Sequence, residues 1–119
     1  SVDEESADVA REFVKIKESI KPQLMKAAQE AHEKGIPVLR AMMLEFPHDP
    51  ACTHLDRQYM LGSSILAAPV FTDSGEVEYY LPAGTWQHLI DGRKLDLTLG
   101  GKWIKETYGF LSLPLWERK

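Results

Sequence analysis

Cysteine and long apolar runs are the scarcest features of this sequence. The 119 residues include one cysteine, Cys52, which excludes an internal disulfide and makes a reducing cytoplasm the simpler expectation. No apolar run approaches the ~20 residues that cross a membrane, and the acidic N-terminus lacks the apolar segment of a secretory signal. We therefore expect no membrane partner.

An excess of basic charge is also missing. The 14 Lys and Arg are outnumbered by 18 Asp and Glu, which leaves a net charge of −4, and the lysines are scattered. Nucleic acid is not an expected partner, because a surface that binds it needs a basic patch. Hydrophobic and charged shares of 44% and 27% are typical of a globular domain.

Signatures of common catalytic and cofactor sites are absent as well. The sequence contains no phosphate loop, dinucleotide fingerprint, Gly-x-Ser-x-Gly elbow or His-Glu-x-x-His pattern. His48, Cys52 and His54 offer at most three metal ligands, whereas structural zinc sites usually use four in paired spacings. Cys52 and His54 are also too close in sequence to form a nucleophile–base pair readily. We expect a polar surface loop here, with no cofactor and no metal.

The first 34 residues predict helix. Ser1 and Glu4 have the spacing of a capping box, and Gly35 is a plausible left-handed stop. Pro22 either kinks this helix or lies in the first turn of a second one. The apolar stripe at helical spacing consists of Val2, Val9, Phe13, Ile16 and Ile20, widened by Ala10 and Val14.

Residues 38–44 form an apolar run that contains one charge, Arg40. A run without clean alternation is typical of a strand buried on both faces, as in a parallel sheet flanked by helices. Pro47 and Pro50 would end this strand, and Thr53 can cap a short helix that closes at Gly62.

From residue 63 onward the sequence predicts short antiparallel strands separated by glycine-containing turns such as Ser74-Gly75 and Asp91-Gly92. The candidate strands are 65–71, 77–81, 85–90, 95–99, 103–108 and 112–117. Helix followed by strands indicates an α+β fold or pieces of two different domains.

Glu45, at the end of the apolar run, is the first candidate for acid–base chemistry. A carboxylate at the C-terminal end of a barrel strand could act as an acid or a nucleophile. The nearest companion, Asp49, precedes Pro50, a combination typical of a turn. A mechanism that needs two carboxylates is therefore poorly supported, and we favour a scaffold role in which Glu45 pairs with a basic group such as Arg40.

Aromatic residues are concentrated in the second half. They could form an exposed platform that stacks on sugars, which would make the chain an autonomous carbohydrate-binding or structural module. Strands also bury aromatics and pair them across a sheet, and we favour that interpretation. The residues are Tyr79, Tyr80, Trp86, Trp103, Tyr108 and Trp116.

Five motifs occur in one order along the chain. They are Arg40-Ala-Met-Met-Leu-Glu-Phe-Pro-His-Asp-Pro50, Asp56-Arg-Gln-Tyr-Met-Leu-Gly62, Ala67-Ala-Pro-Val-Phe71, Tyr80-Leu-Pro-Ala-Gly-Thr-Trp86 and Gly109-Phe-Leu-Ser-Leu-Pro114. In this order and spacing they resemble glycoside hydrolase family 31, especially its bacterial α-xylosidases. One departure is Ser63 after Gly62, where family members commonly have Asp.

The resemblance implies an α+β fragment in two parts. Residues 1–62 would be the C-terminal portion of a (β/α)8 barrel, with 38–44 as its eighth strand, and residues 63–119 would begin an antiparallel β-sandwich domain. Such a fragment would leave apolar edges uncovered, so we expect self-association or association with the rest of the parent enzyme.

The resemblance also implies a mechanism for the parent enzyme. Family members are retaining α-glycosidases, in which one Asp attacks the anomeric carbon and another protonates the leaving oxygen. Both aspartates would align upstream of Ser1. We therefore expect the chain to be an inactive fragment of an enzyme that hydrolyses α-linked xylosides, with α-linked glucosides as the second candidate. We expect no catalytic, cofactor-binding or metal-binding residue in the chain itself.

Overall fold

A long helix, a six-stranded sheet and a two-stranded sheet make up the fold. The computed structural model describes residues 2–109 and 112–119. In chain order the elements are α1 (Val2–Lys34), β1 (Leu39–Ala41), α2 (Met42–Glu45), a 3₁₀ helix (Pro50–Cys52), β2 (Tyr59–Leu61), β3 (Ile65–Ala67), β4 (Glu76–Leu81), β5 (Thr85–His88), β6 (Lys94–Asp96), β7 (Lys102–Thr107) and β8 (Leu115–Arg118). No helix among these residues is long and apolar enough to span a membrane.

Helix α1 runs without a break through Pro22, so a second helix does not begin there. Packing offsets the lost backbone hydrogen bond, because one face of the helix is buried against β3 and β8. The buried residues are Ile16, Ile20 and Ala27. Val14, predicted to widen this stripe, is instead 57% exposed. Gly35 ends the helix as predicted, with φ 70° and its N–H bonded to Ala31 O. The predicted capping box depends on Ser1, which lies outside the described residues.

Residues 38–44 differ from the prediction in length and in burial. Only Leu39–Ala41 are strand, paired antiparallel with β2 at the edge of the large sheet, and the chain then turns into α2. Leu39, Met43 and Leu44 are more than half exposed, whereas Arg40 and Met42 are buried. The run is therefore not buried on both faces. Side chains of this segment are buried only where α1 and the large sheet cover them.

The short helix predicted from Thr53 to Gly62 is also wrong. The local helix is the 3₁₀ turn Pro50–Cys52, which begins where the Asp49 carboxylate accepts from Ala51 N at 3.0 Å. Thr53 follows its end, and Tyr59–Leu61 form a strand between β1 and β3. Sheet pairing on both sides supplies backbone partners that an isolated short helix would not have.

All six strands predicted after residue 63 are confirmed, with shorter bounds for most. The large sheet has the order β1-β2-β3-β8-β5-β6, and β4 pairs with β7 in the small one. The expected division at residues 62 and 63 falls between β2 and β3, which are neighbours in one sheet.

Alternation along β3 and β8 creates two cores. Ile65, Ala67 and Leu115 face α1, while Leu66 and Trp116 belong to the cluster formed with the small sheet of β4 and β7. The molecule therefore has three layers: α1, the large sheet, and the small sheet. The second core also contains Met42, Cys52, Met60, Tyr79, Tyr80, Leu81 and Trp86.

Candidate functional site

Arg40 holds together α1, β1 and α2. Its guanidinium is 3% exposed and pairs with Glu45 Oε1 through Nη1 at 2.5 Å and with Glu30 Oε2 through Nη2 at 3.0 Å. Nε donates to the Pro37 carbonyl at 2.7 Å. Burial by itself lowers the Arg40 pKa, but the hydrogen bonds to Glu45 and Glu30 outweigh it and the pKa is raised. We call Glu30, Arg40 and Glu45 the Arg40 cluster.

Glu45 is therefore paired with Arg40, as the scaffold interpretation predicted. Only 18% of its side chain is exposed. Because one carboxylate oxygen is committed to the guanidinium, this side chain is positioned as a brace between β1 and the loop that follows α2.

A groove lies beside this loop, with a volume of about 500 Å³. One wall is formed by residues 45–50, and the other by Tyr80, Pro82, Ala83, Gly100 and Gly101. We call it the Asp49 groove, because Asp49 joins the two walls. Its Oδ2 accepts from Tyr80 O–H at 2.7 Å, while Oδ1 accepts from Ala51 N.

The walls of the Asp49 groove are held by several contacts. Burial and the Asp49 carboxylate raise the Tyr80 pKa to about 12, so the phenol remains a donor. The Phe46 ring lies 4.6 Å from the Arg118 guanidinium carbon and 6.3 Å from the Trp86 ring. At Gly101 an added Cβ would lie 2.0 Å from Tyr80 Oη, so no side chain fits there.

A second polar cluster is enclosed between the two sheets, and its centre is Glu106. Oε1 accepts from Tyr79 O–H at 2.5 Å and from Tyr108 O–H at 2.8 Å, and Oε2 pairs with Arg93 Nη1 at 2.5 Å. Trp116 Nε1 in turn donates to Tyr79 Oη at 3.0 Å. We call these residues together with His88 the Glu106 cluster.

His88 joins the Glu106 cluster as a neutral ring. Its Nδ1 accepts from Ile90 N at 3.1 Å, so Nε2 carries the proton and donates to Tyr108 Oη at 2.8 Å. The ring is buried and meets Trp116 edge-on at 4.8 Å. Burial lowers the His88 pKa, which is consistent with the neutral tautomer.

Burial and hydrogen bonding also determine the protonation states of the other titratable residues in the Glu106 cluster. Burial alone would raise the Glu106 pKa, but the Arg93 and tyrosine hydrogen bonds outweigh it and the pKa is lowered. Burial, with the bond to Glu106, raises the pKa of Tyr79 to about 12 and also raises the pKa of Tyr108. Arg93, Tyr79 and Tyr108 all donate to the Glu106 carboxylate, an arrangement that cross-links the strands of the two sheets.

The remaining sequence candidates are not assembled into a site. Cys52 is buried, and its burial together with Asp49 raises the thiol pKa to about 11, which disfavours the reactive thiolate. His48 and His54 are exposed. In the part of the chain that the structure describes, no three His, Cys, Asp or Glu side chains are grouped to hold a metal ion.

The aromatic residues mostly pack as predicted. Tyr79, Tyr80, Trp86 and Trp116 are buried, and Tyr108 is half-buried. Trp103 is 51% exposed and pairs across β4 and β7 with Tyr80, at a ring distance of 5.2 Å. These six residues therefore do not form one exposed platform.

Sequence reasoning missed the Glu106 cluster and the Asp49–Tyr80 bond. Their members lie up to 37 residues apart, as in the Trp116–Tyr79 bond, and only the sheet order brings them together. Alternation in 102–107 could have indicated that Ile104 and Glu106 point inward, since both are half-buried between exposed neighbours.

Comparison with known proteins gives one consistent family. The model of the glycosyl hydrolase family 31 C-terminal domain matches residues 35–119. The α-xylosidase of Emericella nidulans is 42% identical over 120 residues, covering 94% of this chain and 15% of that protein. The α-xylosidase of Lactiplantibacillus pentosus is 37% identical over 118 residues, covering 98% of this chain and 15% of that protein.

Solved structures show the same similarity. The crystal structure of a family 31 α-xylosidase from a soil metagenome, complexed with xylose, has a TM-score of 0.83 and 27% identity. The match covers 94% of this chain and 16% of that one. The chain thus spans about 15% of the length of the curated relatives it resembles. Residues 35–119 match the family model and nearly the whole chain matches its members, so this chain belongs to glycoside hydrolase family 31.

Proposed function

We propose that this chain serves within a larger retaining α-glycosidase that hydrolyses α-linked xylosides, with α-linked glucosides as the second candidate. The observation that carries the proposal is the similarity of nearly the whole chain to α-xylosidases from a fungus and a bacterium. α-Glucosidases are also among the relatives, at 38% identity over 77 residues for the barley enzyme.

In this proposal the chain is a supporting part and supplies no catalytic carboxylate. A retaining mechanism needs two carboxyl groups about 5 Å apart across the substrate. Glu45 is committed to Arg40, Asp49 to Tyr80 and Ala51, and Glu106 to Arg93 and two tyrosines. Residues 1–62 would then complete the barrel, and residues 63–119 would begin the following β-sandwich.

Assays of the isolated chain test the absence of catalytic groups. The purified chain should not release nitrophenol from p-nitrophenyl α-xyloside or α-glucoside. Saturable hydrolysis that a point substitution in this chain abolishes would overturn the proposal.

A chimera tests the supporting role directly. This chain would replace the matched segment of the Lactiplantibacillus pentosus α-xylosidase, and the chimera should fold and hydrolyse p-nitrophenyl α-xyloside. Deletion of the segment is the matched control and should abolish activity. A folded chimera without activity would contradict the proposal.

Association follows from an apolar surface at the β1 edge. Leu39, Met43 and Leu44 are 56%, 55% and 53% exposed and lie close in sequence at strand β1, whose outer edge has no partner among the described residues. We propose that this surface contacts the rest of the parent enzyme and that, in the isolated chain, two copies cover it. Light scattering should show a dimer or larger species, and serine at the three positions should shift it to monomer.

A further inference from the structure

The Asp49 groove has no role in the supporting function described above. It is a separate concave surface whose volume of about 500 Å³ lies within the usual range for small-molecule sites. Its walls come from the 45–50 loop on one side and, on the other, from the end of β4 with the turn after it and the glycine pair before β7. We propose that it binds a neutral glycosyl unit of the substrate, away from the bond that is cleaved. This inference rests on the proposed function and deepens it.

The shape of the groove is fixed without a ligand. Phe46 N bonds to Met42 O at 2.9 Å and Asp49 N to Phe46 O at 3.2 Å, which closes the loop. Asp49 ties the loop to Tyr80, and Glu45 ties it to Arg40. A preorganised wall of this kind binds without a large cost in ordering.

The chemistry of the lining selects a particular ligand class. Half-buried Phe46 and exposed Pro47 supply apolar surfaces, which suit the C–H face of a pyranose ring. The Glu45 and Asp49 carboxylates keep lone pairs beyond those used by Arg40, Tyr80 and Ala51, and these can accept from hydroxyl groups. Among the described residues that line the groove there is no Lys or Arg. Anionic ligands such as phosphates or uronic acids are therefore disfavoured, whereas a neutral polyol matches both surfaces.

Gly101 lets the Tyr80 ring pack closely into the opposite wall of the groove. Because an added Cβ at Gly101 would lie 2.0 Å from Tyr80 Oη and 2.8 Å from Leu81 O, this position cannot carry a side chain while Tyr80 bonds to Asp49. Tyr80 thus fills the space beside Gly101, and glycine at this position lets the Tyr80 hydroxyl reach Asp49. The free volume accommodates about one or two pyranose rings, within the range of small-ligand pockets.

Titration of the full chain with methyl α-xyloside, followed by amide NMR, tests the proposal. At about 20 mM, above the millimolar affinity expected for a single sugar, shifts should be confined to 45–50, 80–83 and 100–101. Methyl α-glucoside should act similarly, and methyl α-glucuronide should bind at least about tenfold more weakly because its carboxylate faces Glu45 and Asp49.

Two variants make the test specific. Ala83→Leu fills the groove and should weaken binding by at least about tenfold, while Ala28→Leu, an exposed alanine on α1, should not. Asp49→Asn preserves the shape and should reduce the discrimination against glucuronide, so it remains informative if Ala83→Leu fails to fold.

Absence of shifts in the folded chain, shifts outside the groove, or glucuronide binding as tightly as glucoside would each overturn the inference. Failure here with an active chimera would leave the supporting function standing. Sugar binding in the groove with an inactive chimera would identify failure of the supporting function alone.

Discussion

The Arg40 cluster and the Glu106 cluster stabilise an enclosed charge in opposite ways. In the first, a buried cation is held by two carboxylates. In the second, a half-buried carboxylate is held by a cation and two phenols. The Arg40 cluster joins residues within 15 positions of one another, from Glu30 to Glu45, whereas the Glu106 cluster joins strands from both sheets. The Arg40 cluster therefore joins helix α1 to β1 and α2, and the Glu106 cluster joins the two sheets.

Arg40→Met should cause the largest change. It leaves Glu30 and Glu45 without their shared partner, and breaking an enclosed pair by removing one side costs about 3 kcal/mol, the lower end of the usual range because both carboxylates retain some exposure. Urea unfolding at neutral pH measures the loss. The exposed Arg57→Met serves as control and should change the unfolding free energy little.

A triple variant separates charge from packing in that loss. Replacing Glu30 and Glu45 by Gln together with Arg40→Met removes all the enclosed charges and should recover most of the stability. If the triple variant is as unstable as Arg40→Met alone, lost side-chain packing rather than unpaired charge is responsible.

Glu106→Gln should have the next largest effect. The amide retains an oxygen for the two phenols but turns an N–H toward Arg93, so we expect a loss of about 2 kcal/mol in the unfolding free energy. Glu78→Gln, at an exposed position on the paired strand β4, is the matched control and should be nearly neutral. Equal losses in the two variants would contradict a special role for Glu106.

Acid should weaken the Glu106 cluster in two successive pH ranges. The folded-state pKa of His88 is lowered from 6.5, so its contribution is fully present above pH 6.5 and is lost as the pH falls through the folded value. The Glu106 pKa is lowered from 4.5, so its contribution is present above pH 4.5 and is lost in a second, more acidic range.

Unfolding free energy measured against pH tests this order. His88→Asn should flatten the slope just below pH 6.5, whatever its effect at neutral pH, while His54→Asn at an exposed position should not. An unchanged slope in His88→Asn would show that another group is responsible.

Asp91→Asn should have the smallest effect. The Arg93–Asp91 pair is 2.8 Å long but both side chains are more than 40% exposed, and such pairs contribute less than about 0.5 kcal/mol. Comparing the losses in urea unfolding of Asp91→Asn and Glu106→Gln separates the contribution of the exposed Arg93–Asp91 pair from that of the enclosed Arg93–Glu106 pair. A loss equal to that of Glu106→Gln would contradict this ranking.

Sequence reasoning succeeded where neighbouring residues decide the structure. Gly35 was identified as the end of α1 because a left-handed residue after a helical stripe needs no distant partner. Strands β4 and β7 were recognised from apolar runs between glycine turns. The sequence predicts the Glu45–Arg40 pair because the two residues lie only five positions apart.

Sequence reasoning fails where residues distant in the chain determine the local structure. The stretch 59–61 was predicted as helix but is strand, since β1 and β3 lie on either side of it. The Asp49 groove depends on Tyr80 and Gly101, which follow Asp49 by 31 residues or more. Neither contact has a local signal.

The sequence by itself determined the family, the helix-then-strands order, the position of most turns and the pairing of Glu45 with Arg40. These rest on motif order and on interactions between near neighbours. The tertiary structure alone decided that β1 and β2 join the large sheet, that Glu106 is surrounded by donors, and that a groove opens beside Asp49. Burial and the enclosure of charges depend on which elements pack together. No local sequence pattern specifies the order of the strands, so these features depend on the tertiary structure.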